Sequence, residues 1–300
     1  MIQPVPNQSA RWKTDCRNME AADEFSAEHV EYPRKNPNTG DSKMNQKLTV
    51  KDVMSKPVSI AKSALIPEAL DKMLAEGVDP IVVTNDRVVV GTASRRSIAE
   101  KMGSKKTGNI PASQIRVASV TREDFTSVYQ DQDVDLLVPL LQRYKIVVVW
   151  DEEHRLIGQV TTGDLLKVAK PEGSIEAMVE IAPRISPDDR VVQLHRRMVG
   201  DGATRFIVME DNKAVGIVTE TDIAKILVKL KSEIDKHFEN ALRNVTAADI
   251  MSAPLITTPA NTPVSRVVDL MLAKNISTIP VAEGEKVIGL ATRKSLVDAL

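Results

Sequence analysis

The sequence is nearly free of cysteine. Cys16 is the only one in 300 residues, so the chain cannot form an internal disulfide or a cysteine-rich metal site, and we expect no cysteine nucleophile. The four histidines share no metal-ligand spacing, so we expect no metal site; they are His29, His154, His195 and His237. These features argue against thiol enzymes and against metal sites built from cysteine or histidine.

The chain also lacks an excess of charge and a long apolar run. Forty Lys and Arg against 41 Asp and Glu give a net charge of −1, so we expect neither nucleic acid nor a membrane surface as partner. The apolar run Ile146–Trp150 is far shorter than the roughly 20 residues of a membrane helix. The first residues do not resemble a secretory signal, and we expect a soluble, cytoplasmic protein.

The first 46 residues mix Pro, Asn, Ser, Lys and Glu without an apolar period. Such a composition is typical of disorder, so we interpret residues 1–46 as a disordered leader. A start codon assigned too early and a functional tail both explain this segment, since Met44 lies just before the first patterned segment.

The rest of the chain repeats itself four times. Each repeat ends in a similar phrase, at residues 88–98 (VVVGTASRRSI), 155–165 (RLIGQVTTGDL), 213–223 (KAVGIVTETDI) and 286–296 (KVIGLATRKSL). The shared glycines Gly91, Gly158, Gly216 and Gly289 lie 67, 58 and 73 residues apart. We therefore predict four copies of one structural unit.

The pattern inside each copy predicts a βαββα unit. A helix with a 3.6-residue apolar period precedes two short β-branched runs joined by a polar turn, and a second helix follows the glycine strand. A three-stranded sheet is too small to be stable alone, so the units should pair. We place the units at about 48–104, 111–170, 174–230 and 245–300, and the pairs at 47–170 and 174–300.

Two further phrases connect the repeats to a known family. The first and fourth units open with VKDVMSKP (residues 50–57) and AADIMSAP (247–254), and all four end in G-x-x-[ST]-x-x-[DS]. These features resemble the CBS motif, named after cystathionine beta-synthase. Four motifs in one chain resemble the gamma subunit of AMP-activated protein kinase and stand-alone prokaryotic CBS proteins. The resemblance implies an α+β fold in which two CBS pairs, called Bateman modules, form a disc.

The T-x-x-D endings carry the chemistry that the resemblance implies. Thr161 with Asp164, and Thr219 with Asp222, stand where a strand gives way to a helix. One interpretation is structural, because Thr and an acid three residues on form a capping box. In the family, the same Asp accepts hydrogen bonds from the ribose hydroxyls of an adenosine ligand, while the Thr and the helix start face phosphate.

The other two endings depart from that pattern, because Ser97 and Ser295 replace the acid. They carry positive charge instead. The resemblance implies that Arg96 contacts the phosphate of the Asp164 nucleotide and Lys294 that of the Asp222 nucleotide. The alternative is that both are solvated charges near a helix start.

The resemblance also assigns the walls of each cleft. Residues after the proline of the partner motif would hold adenine: Val58 and Ser59 at the Asp164 site, and Leu255 and Ile256 at the Asp222 site. Ile217 would complete the Asp222 wall. At the Asp164 site Gln159 stands in the equivalent place and is less suited to it, while Asp79 puts an acid near phosphate.

Arg205 corresponds to a family residue that touches phosphate. The Asp222 cleft is therefore the preferred site, ahead of the Asp164 cleft.

We therefore expect a non-catalytic, energy-sensing regulatory module that binds AMP, ADP or ATP and acts on a regulated protein that the sequence does not identify. The pattern fits one disc and a homodimer of discs equally. Two alternatives stay open: an S-adenosylmethionine sensor and an interaction scaffold with vestigial clefts. IMP dehydrogenase is excluded because the repeats leave no room for a barrel, and a DNA-binding regulator is excluded because no basic helix-turn-helix is present.

Overall fold

The computed structural model describes residues 48–107, 110–233, 238–284 and 286–300. Lys47–Leu300 forms one compact unit. The leader predicted at residues 1–46 lies outside the described residues.

The first two repeats contain the elements expected of a βαββα unit. The first comprises α1 (Val50–Val53), β1 (Ser59–Ala61), α2 (Ile66–Ala75), β2 (Ile81–Asn85), β3 (Val88–Ala93) and α3 (Arg95–Met102). The second comprises β4 (Thr126–Tyr129), α4 (Leu137–Arg143), β5 (Ile146–Trp150), β6 (Leu156–Thr161) and α5 (Thr162–Val168). Short 3-10 helices lie at Lys105–Thr107, Ala112–Gln114, Val117–Val120 and Val134–Leu136.

The last two repeats have the same order. The third comprises a 3-10 helix (Ile175–Met178), β7 (Arg184–Ile185), α6 (Val191–Gly200), β8 (Arg205–Glu210), β9 (Lys213–Thr219) and α7 (Glu220–Glu233). After α8 (Phe238–Asn244), the fourth comprises α9 (Ala247–Ile250), β10 (Thr258–Pro259), α10 (Val264–Ala273), β11 (Thr278–Glu283), β12 (Lys286–Thr292) and α11 (Arg293–Asp298).

Each repeat forms its own three-stranded sheet, in which the first strand is parallel to the second and the second is antiparallel to the third. In the third repeat the hairpin turns at Asp211 and Asn212, which both have positive φ, as a type I′ turn requires. The polar turn that the sequence predicts there is confirmed.

Each central strand is buried on both of its faces. In β8, Phe206 and Val208 point into a core shared with helices, whereas Ile207 points into a separate cluster with Val287 and Leu290 of the fourth repeat. Successive side chains of a strand point to opposite faces, so a short apolar strand contributes side chains to two separate cores.

The four repeats close into a ring. Sheets of the first and second repeats share one small apolar cluster, and those of the third and fourth share another. Helices of the first repeat share a large core with those of the third, and helices of the second share one with those of the fourth. The predicted α+β fold, with four βαββα motifs in two pairs arranged as a disc, is confirmed.

The shared glycines mark close approaches between paired repeats. A Cβ at Gly216 would lie 2.5 Å from Met251 Sδ, and one at Gly289 would lie 2.5 Å from the backbone oxygen of Glu180. Gly158 approaches Met54, and Gly91 approaches the Arg122 carbonyl, in the same way. A side chain at Gly91 or Gly289 would collide with backbone of the paired repeat, whereas one at Gly158 or Gly216 would displace a methionine side chain.

Replacement of Gly289 by alanine should therefore lower the free energy of unfolding by about 1–3 kcal/mol, because the new methyl group meets rigid backbone. Gly200→Ala is the control, since a Cβ there meets nothing within 4 Å and lies at the end of α6. It should leave stability unchanged or raise it by up to about 1 kcal/mol. Urea unfolding midpoints test both; equal midpoints for the two variants would show that the approach at Gly289 is not tight.

Candidate functional site

The two T-x-x-D sequences form helix caps. Thr219 donates to Asp222 Oδ2 from its backbone nitrogen (2.9 Å) and its hydroxyl (2.7 Å), and Thr161 donates to Asp164 Oδ2 in the same way (3.0 and 2.8 Å). The capping box is complete at Thr161, whose hydroxyl also accepts from the Asp164 backbone nitrogen, and at Thr219 the bonds to the Asp222 carboxylate form one half of the same box. A ligand-binding role must therefore depend on the hydrogen-bond acceptor capacity that each carboxylate retains beyond these bonds.

Asp222 keeps one oxygen uncommitted. Its Oδ1 makes no hydrogen bond within the described part of the chain, and the residue is half-buried. Burial raises the pKa of Asp222 above its usual value, although the hydrogen bonds from Thr219 oppose that shift. A partly desolvated acceptor with a free oxygen suits a ligand that brings hydroxyl donors.

Asp164, by contrast, has both oxygens engaged. Lys167 Nζ lies 2.9 Å from Oδ1, and the Ser55 hydroxyl lies 3.3 Å from Oδ2, which Thr161 already shares. Asp164 is only 6% exposed. A ligand at this position would have to displace contacts that the protein already makes.

The wall beside Asp222 is apolar and open. Ile217 and Ser252 exchange backbone hydrogen bonds of 3.1 and 2.9 Å, and this bridge fixes the start of the segment that continues to Leu255 and Ile256. Leu255 is half-buried and Ile256 is 43% exposed. The bridge thus places a partly exposed aliphatic segment after the strand position that lies two residues before Thr219, and such a segment suits a flat, apolar ligand group.

The equivalent wall beside Asp164 is occupied by a polar side chain. Gln159 pairs with Ser55 as Ile217 does with Ser252, but its side-chain Oε1 also accepts a 3.0 Å hydrogen bond from the backbone nitrogen of Val58. Gln159 is 2% exposed, and Val58 and Ser59 are half-buried. The Gln159 side chain therefore connects its strand to the Val58 segment by a hydrogen bond, which Ile217 at the equivalent place in the other cleft cannot form.

A cavity of about 660 Å³ lies at the centre of the ring and receives residues from all four repeats. Its lining carries six cationic side chains against three acidic ones. They are Arg95, Arg143, Lys145, Arg205, Arg293 and Lys294, with Asp79, Glu180 and Glu220. A surplus of positive charge in such a cleft favours anionic ligands.

Arg205 connects this cavity to the Asp222 cleft. It lies directly opposite Thr219 in the β8–β9 hairpin, and its guanidinium donates to the hydroxyls of Thr204 and Thr278. Burial lowers the pKa of Arg205 from its usual value, but an arginine keeps its charge at neutral pH. Thr219 itself lies on the cavity wall, so the cleft and the cavity are adjacent.

The position predicted for Arg96 needs correction. Its Nε lies 3.0 Å from Glu100 Oε1 and its Nη2 donates to the Met198 carbonyl, so its side chain lies away from the cavity lining. Arg95 lies on the wall instead, because successive residues of a helix point about 100° apart. Lys294 does line the cavity, and its ammonium pairs with Asp298, which is not part of the lining.

Sequence reasoning missed Lys145, which enters the cavity just before β5. Its ammonium lies 3.2 Å from Glu220 Oε2 and 3.6 Å from Asp79 Oδ2. Burial alone would lower the pKa of Lys145, but these two carboxylates raise it above its usual value. Ile146 pairs with Thr161 as Arg205 pairs with Thr219, so Lys145 corresponds to Thr204, one position before the residue that the resemblance assigns to phosphate.

The described ranges contain neither a membrane-spanning helix nor a metal-binding cluster. No helix in them is both long and apolar enough to span a bilayer. No group of three or more His, Cys, Asp or Glu side chains in them is arranged to hold a metal ion.

Comparison with known proteins agrees with this architecture. The CBS domain profile matches residues 50–104, 117–170, 174–229 and 247–300. Protein MJ1225 of Methanocaldococcus jannaschii is 21% identical over 238 residues, 73% of this chain and 85% of MJ1225. Its crystal structure aligns with a TM-score of 0.71 at 22% identity, over 84% of this chain and 99% of that chain.

A second solved structure, of a conserved Pyrococcus horikoshii protein, aligns with a TM-score of 0.55 at 20% identity. It also covers 84% of this chain and 99% of the other. At such identities these structures establish similarity of fold. Together with the four profile matches, which cover more than half of the residues, they lead to one assignment: the chain belongs to the CBS-domain family.

Proposed function

We propose that this protein is a regulatory module that binds an adenine nucleotide and catalyses no reaction. The observation that carries the proposal is the arrangement around Asp222: a free carboxylate oxygen, an exposed aliphatic wall and an adjacent cationic cavity. Each matches one part of a nucleotide, namely the ribose hydroxyls, the base and the phosphates. We take the two pairs of repeats, residues 47–170 and residues 174–300, as the ligand-binding units.

In this proposal Asp222 Oδ1 accepts from the ribose, while Ile217, Leu255 and Ile256 contact adenine. Arg205 and Lys294 face the phosphates from two different repeats. The Asp164 cleft, with Thr161, Val58 and Ser59, is the weaker site because its contacts are already satisfied. Arg96 has no part in either site.

The phosphate assignment separates nucleotides from S-adenosylmethionine. That ligand has an adenosine group but carries a sulfonium cation where a nucleotide carries phosphate, and the cavity already has a cationic surplus. The fold shared with MJ1225, described as a proposed archaeal homologue of g-AMPK, is consistent with a sensor. Occupancy of a cleft between paired repeats would change the ring geometry and thereby its contact with a regulated partner.

Replacement of Asp222 by asparagine should weaken AMP binding by about tenfold or more, because a neutral amide loses the charge-assisted hydrogen bonds to the ribose. Asparagine can still accept from Thr219, so the helix cap is retained. The matched Asp164→Asn variant should change the Kd by less than about threefold. Calorimetric titration of both variants makes the comparison.

The same titrations of the unaltered protein with AMP, ADP, ATP and S-adenosylmethionine test the proposal as a whole. No heat with any of them, from protein shown to be folded by circular dichroism, would leave an interaction scaffold whose T-x-x-D sequences only cap helices. Equal losses in the two Asn variants would contradict the preference for the Asp222 cleft.

Replacement of Arg205 by glutamine should weaken AMP binding by about tenfold while leaving adenosine binding within about twofold, because in this proposal the guanidinium contacts no part of the ligand other than the phosphate. Arg96→Gln removes the same charge outside the cavity and should change neither. Competition titrations with AMP and adenosine give the two ratios. A parallel loss for both ligands would mean that Arg205 supports the cleft rather than the phosphate.

A further inference from the structure

Glu220 is a buried acid that the proposed function leaves unexplained. It lies on the cavity wall at the first position of α7, and only 10% of its side chain is exposed. Its Oε2 lies 3.2 Å from Lys145 Nζ, whereas its Oε1 is buried without a hydrogen-bond partner in the part of the chain that the structure describes. A buried carboxylate oxygen without a partner is costly, so its retention needs a reason.

Two acids share one ammonium in this region. Asp79 Oδ2 lies 3.6 Å from the same Lys145, and the described residues place no other cation within ion-pair distance of Asp79 or Glu220. The three groups come from three different repeats and together carry a formal charge of −1 in a cavity that is otherwise cationic. Lys145 is thus already paired with two acids before any anion arrives.

Helix capping does not account for Glu220. An acid in the first turn of a helix is favourable by up to about 2 kcal/mol, but an exposed acid gains part of that benefit without the desolvation that Glu220 undergoes. The equivalent positions of the other repeats hold Arg95, Thr162 and Arg293, so the fold does not require an acid there. The burial of Glu220 beside the cavity is therefore specific to the repeat that contains Asp222.

The position of Glu220 allows it to repel the phosphates of a bound nucleotide. It directly follows Thr219 and stands two residues before Asp222, so it lies between the proposed ribose site and the cavity. A phosphate that attracted Lys145 would leave Asp79 and Glu220 without their shared cation. This repulsion increases with each further phosphate, because each adds negative charge near the same two acids.

We infer that Glu220 is a specificity-determining residue that limits the number of phosphates at this site, so that the protein prefers adenosine monophosphate to adenosine triphosphate. The inference rests on the proposed function and names the ligand class of that same site. Asp79 acts with Glu220 through the shared ammonium of Lys145.

The test compares AMP and magnesium-free ATP by calorimetry on the full chain, as the ratio of the two dissociation constants. Unaltered protein should bind AMP more tightly. Glu220→Gln, which keeps the shape of the side chain, should shift the ratio toward ATP by about tenfold, mostly through tighter ATP binding. Asp79→Asn should shift it in the same direction. Glu153→Gln, which removes an equal charge from an exposed surface pair with Arg155, should leave the ratio unchanged.

The outcomes separate the two proposals. If unaltered protein binds AMP but neither acid variant moves the ratio by more than about twofold, the specificity role is wrong while the nucleotide site stands. Weaker ATP binding in Glu220→Gln would overturn the inference too, since Oε1 would then accept a hydrogen bond from the ligand. If unaltered protein binds neither AMP nor ATP, both proposals fall.

Discussion

In both pairs, the segment that enters one repeat lies directly against the third strand of the other repeat, and this contact positions every other part of the site. Ser252 exchanges backbone hydrogen bonds with Ile217, and Ser55 does so with Gln159. Glycines on the third strands permit the approach, because a Cβ at Gly216 would meet the Met251 side chain. The contact is reciprocal within each pair. It brings the apolar residues after D-[VI]-M-S-x-P beside a T-x-x-D helix start that is distant in sequence, and so creates a cleft.

The sequence predicts those parts of the structure that depend on local patterns. Each of these patterns depends on a few neighbouring residues: the apolar periodicity, the polar hairpin turns and the capping sequences. Their fourfold repetition makes the unit recognisable. The resemblance to the CBS motif then supplies the pairing of sheets that no local pattern contains. Arg205 was predicted near phosphate for the same reason, and it lies on the wall of a cationic cavity beside Thr219.

The parts that the sequence did not predict depend on how the ring closes. The rotation of α3 about its axis, relative to α6 of the third repeat, decides whether Arg95 or Arg96 faces the centre. In the structure Arg96 donates to the Met198 carbonyl of α6. The ion pairs of Lys145 join residues more than 60 positions apart, so no local pattern reveals them. The polar character of Gln159 was visible in the sequence, but its hydrogen bond to Val58 required the coordinates.

The four helix starts show that a helix cap can form with either a serine or an aspartate at its third helical position. Ser97 and Ser295 complete capping boxes with a hydroxyl, so the cap itself does not require a carboxylate. A carboxylate in the same place carries a desolvation cost that a hydroxyl avoids. At Asp164 that cost is offset by Lys167, which lies within ion-pair distance. At Asp222 the described residues provide no such partner, and burial raises the pKa of the carboxyl. The hydrogen bonds from Thr219 and the positive charge of Lys225 offset only part of the effect of burial on this carboxyl. Among the four helix starts, Asp222 alone therefore combines a partly buried carboxylate with no ion pair from the described residues, which is the feature that the proposed ligand would satisfy.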